Sequence, residues 1–460
     1  MSINSVDSAN HASTAAAPKM IAGRQQVENM GGRNDGSSTL SKITCPHCWT
    51  RFAVADTLWV SQHAELLGDP VLGTDAASRF LPSRFSPTGD ALDARGMACH
   101  TLACPACHLP LPRPCLEIDP LFVSIIGVPA SGKSYFLTAM TWELRRTLAS
   151  QFAVTFSDAD TVTNRTLNEY EELLFLPGDV DRFVAIRKTE VHGTALYDQI
   201  RQGQQIVSLP RPFLFSFRPT ANHPNAGLSA KVSRLLCLYD NAGEAFEPGE
   251  DTSASPVTQH LAQSRVLMFL YDPTQDARFR AKCRAVSSDP QLEGRSRRQE
   301  TILLETAARV RRYSGLSAQQ KHAKPMIVIV PKADVWGALI GLDLDREPVV
   351  PKAVGRGTMA GVDVGRVEQT SSAVRSLLLE TAPEFVTAVE DFCEHVVYVP
   401  VSALGRGPER QDGQDGLFVR AGEIKPKWVT VPLLYALAKW TTGLIASSSV
   451  TPAGPAAPRG

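Results

Sequence analysis

Hydrophobic positions in this chain gather into short dense runs separated by longer amphipathic stretches. Leu121 to Ile126, Phe213 to Phe217, Ser233 to Tyr239, Arg265 to Tyr271, Pro325 to Val330 and Val396 to Val401 are short, largely apolar segments of the kind that form strands covered on both faces. Between the runs, Tyr135 to Leu148 lacks glycine and proline and carries Phe136, Leu137, Met140, Leu144 and Leu148 at helical spacing. The same periodicity predicts helices over Thr161 to Phe175, Arg297 to Tyr313, Ser372 to Thr381 and Val431 to Ile445. Buried strands alternating with amphipathic helices predict an α/β domain of three layers with a mostly parallel sheet, spanning residues 118–446. A small module over 43–117 precedes it. Residues 1–42 are polar and rich in Ser, Ala, Asn and Gly, and residues 447–460 are Ser/Pro/Ala-rich, so both ends are expected to be disordered tails.

Charge and cysteine content narrow the setting. The 460 residues contain 47 basic and 47 acidic side chains, so no bulk charge draws the chain to nucleic acid or to an anionic membrane. No apolar run approaches the eighteen or so residues that cross a bilayer, and the longest C-terminal candidate is interrupted by Pro432 and Lys439. Nine cysteines is an odd number, and four stand in two C-P-x-C pairs, which suits a reducing, cytoplasmic compartment better than a disulfide framework.

Those pairs are Cys45-Pro46-His47-Cys48 and Cys104-Pro105-Ala106-Cys107. Each turns two thiolates to one side of an ion, and two such turns complete a tetrahedral Cys₄ shell for Zn²⁺. The separation is longer than in compact ribbons, so the residues between are an insertion expected to be rich in loops. Cys99, His100 and His108 are alternative ligands in the same cluster. A redox C-x-x-C sits at a helix start after a strand, and neither pair has that setting. A metal saturated by four cysteines has no open position, so its role would be structural. The module lacks the dense basic and aromatic positions of a nucleic-acid surface.

Chemistry concentrates after the strands. Gly127-Val128-Pro129-Ala130-Ser131-Gly132-Lys133-Ser134 satisfies the phosphate-loop pattern G-x-x-x-x-G-K-[ST] and stands between a strand and a helix that begins near Tyr135. Such a loop curls its N–H groups into an anion nest, Lys133 reaches β- and γ-phosphates, and the Ser134 hydroxyl is a candidate Mg²⁺ ligand. Asp240-Asn241-Ala242-Gly243 is a D-x-x-G at the end of a second strand: Asp240 can hold a magnesium-bound water and Gly243 can offer its N–H to the γ-phosphate. Lys332-Ala333-Asp334 follows a third strand, where Lys332 can lie along a purine and Asp334 can accept two hydrogen bonds from guanine. Adenine would leave that carboxylate unpaired. Ser402-Ala403-Leu404 follows the last strand and can present the Ala403 N–H to the guanine carbonyl.

In this order the four motifs resemble the signature of translation-factor-related (TRAFAC) GTPases, and with the C-P-x-C pairs the chain resembles the bacterial double-GTPase family, type 2, over residues 43–447. The resemblance implies a Ras-like P-loop core, GTP/GDP switching with Mg²⁺, a protein effector, and a homodimer or pairing with another GTPase. It also suggests gene neighbourhoods linked to biological conflict. Two positions depart from the pattern. Pro331 stands where Asn or Thr would tie the base loop to the phosphate loop. Glu244 replaces the glutamine that orients attacking water, so hydrolysis is expected to be slow without a partner. The first-switch threonine is unassigned, with Thr189 and Thr194 as candidates. Two rivals remain at this stage: an ATP-dependent ATPase or kinase using the same loop, and a zinc-stabilised scaffold that binds nucleotide with little turnover.

Overall fold

A computed structural model describes residues 40–186, 197–240, 258–354, 357–411 and 416–448. Its centre is a seven-stranded sheet built from β1 (Asp119–Gly127), β2 (Val154–Asp158), β3 (Phe213–Pro219), β4 (Arg234–Asp240), β5 (Val266–Leu270), β6 (Met326–Val330) and β7 (Val396–Pro400), in the order β2-β3-β4-β1-β5-β6-β7. β4, β1, β5, β6 and β7 are mutually parallel, while β3 pairs antiparallel with both β2 and β4. The sheet is therefore mixed and mostly parallel, as the buried runs predict. The connection leaving β1 crosses toward β2, and the one leaving β5 crosses the other way to β6. The crevice outside the carboxyl ends of β1 and β5 is thus a topological switch point, where open α/β sheets bind ligands.

Side chains alternate between two buried faces. Leu121, Val123 and Ile125 of β1 and Leu236 and Leu238 of β4 point to one face, which α1 (Lys133–Phe152) and the C-terminal helix Val431–Trp440 cover with Phe136, Met140, Leu144, Leu433 and Leu437. On the opposite face, Ile126, Phe269 and Val328 meet α2 (Gln299–Ser314), α3 (Val364–Thr381) and α4 (Pro383–Phe392). Over β3 and β4 that second face meets no long helix among the described residues. Leu214, Leu235, Cys237 and Tyr239 are covered instead by the N-terminal module, through Trp49, Cys45, Cys107 and Leu111. The module is a layer of the domain, which explains how it is held in place.

Several expectations need revision. The insertion between the cysteine pairs keeps the expected loops but is more ordered than they alone imply: its Leu58–Val60, Arg79–Phe80 and Leu102–Ala103 form a four-stranded sheet with Pro110–Leu111, which follows the second pair. The helix expected to run to Ile445 ends at Trp440, and Gly443, with φ of 80°, turns the chain so that Leu444 and Ile445 are buried without helix. Ser447–Ser448, assigned to the tail, pair in parallel with Val362 and Asp363. Two hairpins, Tyr197–Gln202 with Gln205–Pro210 and Val349–Val354 with Gly357–Asp363, were not anticipated. Thr189, Thr194, Gly243 and Glu244 lie outside the described residues.

Candidate functional site

The loop after β1 is shaped by backbone conformation. Ala130 and Gly132 take positive φ of 61° and 92°, and the second of these turns the chain directly into α1 at Lys133. Gly127 is held against β5: a Cβ there would come 3.1 Å from both the Cβ and the carbonyl oxygen of Leu270. The Lys133 ammonium donates to the Gly127 carbonyl at 3.0 Å, bending over the loop. Ser131 Oγ is buried and has no hydrogen-bond partner among the described residues.

One cavity of about 350 Å³ opens at the switch point, a size suited to a small organic ligand. Pro129, Ala130, Ser131, Gly132, Lys133, Ser134 and Tyr135 line one end, and Lys332, Asp334, Ser402, Ala403 and Leu404 line the other. Gly127 is not among the lining residues. Two motifs separated by some two hundred residues of sequence thus line a single cavity.

The far end is organised by side-chain hydrogen bonds. The Ser402 hydroxyl donates to Asp334 Oδ1 and accepts from the Gly405 N–H at 2.9 Å. Burial raises the Asp334 carboxyl above its ordinary range, and the Ser402 hydrogen bond pulls it part of the way back. Lys332 sits at φ 59° and sends its ammonium to Asp272 Oδ2 at 2.7 Å and Thr274 Oγ1 at 2.8 Å. Gly405, at φ 78°, has no room for a side chain, because a Cβ would collide with the Lys425 carbonyl. Beside Tyr135, the Ile186 N–H donates to the phenol oxygen at 2.8 Å.

Sequence reasoning missed Asp272, Thr274 and Gln275. Asp272 is fully buried and accepts from the Thr274 N–H at 2.9 Å, while Gln275 Nε2 donates to Asp272 Oδ2 at 3.2 Å and to the Pro129 carbonyl at 3.3 Å. These contacts tie the Lys332 loop to the phosphate-type loop, the connection that Pro331 cannot make with its own side chain. The signal was present: Asp-Pro-Thr directly after an apolar strand is a side-chain-capped turn.

Asp240 ends β4 and does not line the cavity. Its carboxyl is pushed up to about 6 by burial, with the Lys133 ammonium opposing the shift. Its Oδ1 is buried without a hydrogen-bond partner among the described residues. The Tyr197 phenol, pushed up to about 12 by burial and by the Asp240 charge, lies in the same neighbourhood.

The four predicted thiols converge. Cys45, Cys48, Cys104 and Cys107 place their sulfurs within 4.8 Å of one another, with Cys45 to Cys107 and Cys48 to Cys104 both at 3.7 Å. The two knuckles repeat one another: Trp49 and His108 have φ of 57° and 59°, and each returns its N–H to the carbonyl of Cys45 or Cys104 at 3.0 Å. The His47 N–H donates to Cys45 Sγ and the Ala106 N–H to Cys104 Sγ. Burial holds the Cys45 thiol well above its ordinary range. Four thiolates at this spacing repel one another unless a cation sits among them, so the donor set fits a metal ion such as zinc. The alternative ligands are engaged elsewhere: His108 pairs with Asp69 at 2.7 Å, His100 with Asp90 at 3.2 Å, and Cys99 lies 3.5 Å from the Met97 carbonyl.

Among the described residues, no helix is long and apolar enough to cross a membrane. No family model matches the chain. Over 170 residues it is 28% identical to a protein of Mycolicibacterium smegmatis described as "Putative ESX-1 scaffolding and assembly protein SaeC". That match covers 37% of this chain and 37% of the other protein, so the chain spans little more than a third of the length of the curated relative it matches.

Proposed function

We propose that the chain is a guanine-nucleotide-binding switch of the P-loop class that hydrolyses GTP with Mg²⁺ and signals to a protein partner. The observation that supports this reading is that Lys133 and Asp334 line the same cavity. Backbone N–H groups of the loop and of the first turn of α1 would hold the phosphates, with the Lys133 ammonium moving from the Gly127 carbonyl to the β- and γ-oxygens. Ser134 and Asp240 would hold Mg²⁺, which supplies neutralisation of charge on the β- and γ-phosphate oxygens. A guanine ring would place its N–H and amine against Asp334, already oriented by Ser402, and its carbonyl near the Ala403 N–H. Zn²⁺ held by the four cysteines would brace the module on the sheet.

Isothermal titration against GTP and ATP tests the base assignment, with tighter binding of GTP expected and preference for ATP overturning it. Phosphate release should vanish in Lys133→Ala.

A second reading is a zinc-stabilised scaffold that binds nucleotide and scarcely turns it over. It is supported by the partial similarity to a protein described as a scaffolding and assembly protein. Single-turnover hydrolysis, with and without cell lysate, separates the two readings: the switch is accelerated by a partner and the scaffold is not.

A further inference from the structure

Tyr239 is fully buried at the carboxyl end of β4, one residue before Asp240. Its hydroxyl donates to the Pro46 carbonyl at 2.5 Å and accepts from Trp49 Nε1 at 3.0 Å. Pro46 and Trp49 belong to a single cysteine knuckle, Cys45 to Trp49, so one phenol makes two hydrogen bonds to the turn that presents two of the four thiols. The other side of the ring stacks on His260 at 4.7 Å between centroids, 17° from coplanar. His260 Nδ1 is 2.5 Å from Ser124 Oγ, and Ser124 is the β1 residue paired in register with Tyr239. The ring is therefore clamped between the knuckle and the strand that leads into the phosphate-type loop. Alternation along β4 sends Tyr239 toward the module and Asp240 away from it, where the Lys133 charge is felt.

We infer that Tyr239 is a positioning residue through which a metal ion at the four cysteines holds the end of β4, and with it Asp240, in register beside the cavity. A metal drawing Cys45 and Cys48 together fixes the knuckle between them, and the Pro46 carbonyl then offers a stationary acceptor to the phenol. Without the metal nothing draws the two cysteines of the knuckle together, the turn is freed, the acceptor moves, and the strand end loses an anchor. The part of this inference that concerns magnesium rests on the GTP reading. The mechanical part does not.

The test uses the full chain, Tyr239→Phe and Trp49→Phe, each with zinc content measured per chain. Hydrogen exchange of the β4 amides, Arg234 to Asp240, is followed with zinc bound and after chelation. In the unaltered chain, chelation should speed exchange at the carboxyl end of β4 about tenfold or more. Tyr239→Phe should keep its zinc, exchange fast there already, and respond little to chelation. Trp49→Phe, which removes one of the two hydrogen bonds, should fall between and serves if the tyrosine variant folds poorly. Zinc-loaded variants that exchange like the unaltered chain, or that loosen on chelation as much as it does, would overturn the inference. In parallel, the gain in GTP affinity on adding magnesium should shrink about fivefold in Tyr239→Phe, with affinity in its absence unchanged. A metal-loaded chain that binds no GTP removes the functional reading and leaves the exchange result to decide the coupling.

Discussion

At the Lys332–Ala403 end of the cavity the polar side chains are already matched to one another. Asp334 is paired with Ser402, Ser402 with the Gly405 N–H, and Lys332 with Asp272 and Thr274. At the Gly127–Ser134 end, Ser131 Oγ and the nearby Asp240 Oδ1 are buried without partners among the described residues. A buried polar atom left unmatched costs about 1–3 kcal/mol, so the second arrangement favours a ligand that completes it. The contrast teaches a division of labour. On the proposed reading, the matched end would act as a template that discriminates by leaving a wrong ligand unpaired, and the unmatched end would supply affinity and respond to the ligand's charge.

The largest effect should come from the unmatched end. Lys133→Ala removes the ammonium that lines it and is expected to weaken GTP binding about 100- to 1000-fold, roughly 3–4 kcal/mol, by titration calorimetry. A loss below tenfold would mean that this end does not carry the affinity, and the contrast would fail.

Asp240→Asn probes the same end without ligand. The folded-state carboxyl is pushed up to about 6 from an ordinary value near 4, so the folded chain holds its proton more tightly than the unfolded one. Stability therefore falls as pH rises through the interval from about 4 to 6, and above it the ionised aspartate costs up to about 3 kcal/mol. The asparagine variant should be more heat-stable than the unaltered chain at pH 7.5 in the absence of nucleotide and magnesium. That advantage should disappear below about pH 4. An unchanged or lower melting temperature at pH 7.5 would show that Asp240 is satisfied by residues beyond those described.

At the matched end, Asp334→Asn should cost selectivity more than stability. The amide oxygen can still accept from the Ser402 hydroxyl, so the melting temperature should barely move. Guanine loses its paired acceptor, and the preference for GTP over ATP should drop about 30-fold, roughly 2 kcal/mol. Equal weakening of both nucleotides would mean that Asp334 supports the loop without reading the ring.

What could be read from the sequence follows the same physical division. Short buried runs announce their strands because nearly every residue in them is apolar, and each motif stands just past such a run, so the order of loops at the sheet's carboxyl edge was legible. The cysteine knuckles were legible for a different reason: a turn that closes over one ion needs two thiols at fixed local spacing. The hairpin Tyr197–Gln202 escaped because Tyr-Asp-Gln-Ile-Arg-Gln has one fully buried side chain, Ile200, and alternation needs more. Most strands between the knuckles have only two or three residues each, too few to display a period, and the one five-residue strand described there, Gly73–Ala77, has no fully buried position to mark one. The Tyr239 to Pro46 bridge joins residues 193 apart, and no local pattern encodes such a contact.

The smallest effect expected, and the one that sharpens the contrast most, belongs to the joint between the two ends. Gln275 lines the neighbouring cleft, not the cavity itself, and its side chain reaches both Asp272 and the Pro129 carbonyl. Because both hydrogen bonds are about 3.2–3.3 Å long and the residue is nearly buried, Gln275→Ala should remove about 1 kcal/mol of tethering without opening a path to the ligand. GTP and GDP should then weaken alike, about three- to fivefold, since the residue touches neither phosphate nor ring and acts only by letting the Pro129 loop drift from Lys332. Unequal weakening of the two nucleotides in titration would show that the joint senses the γ-phosphate, and the two ends would have to be treated as one coupled unit.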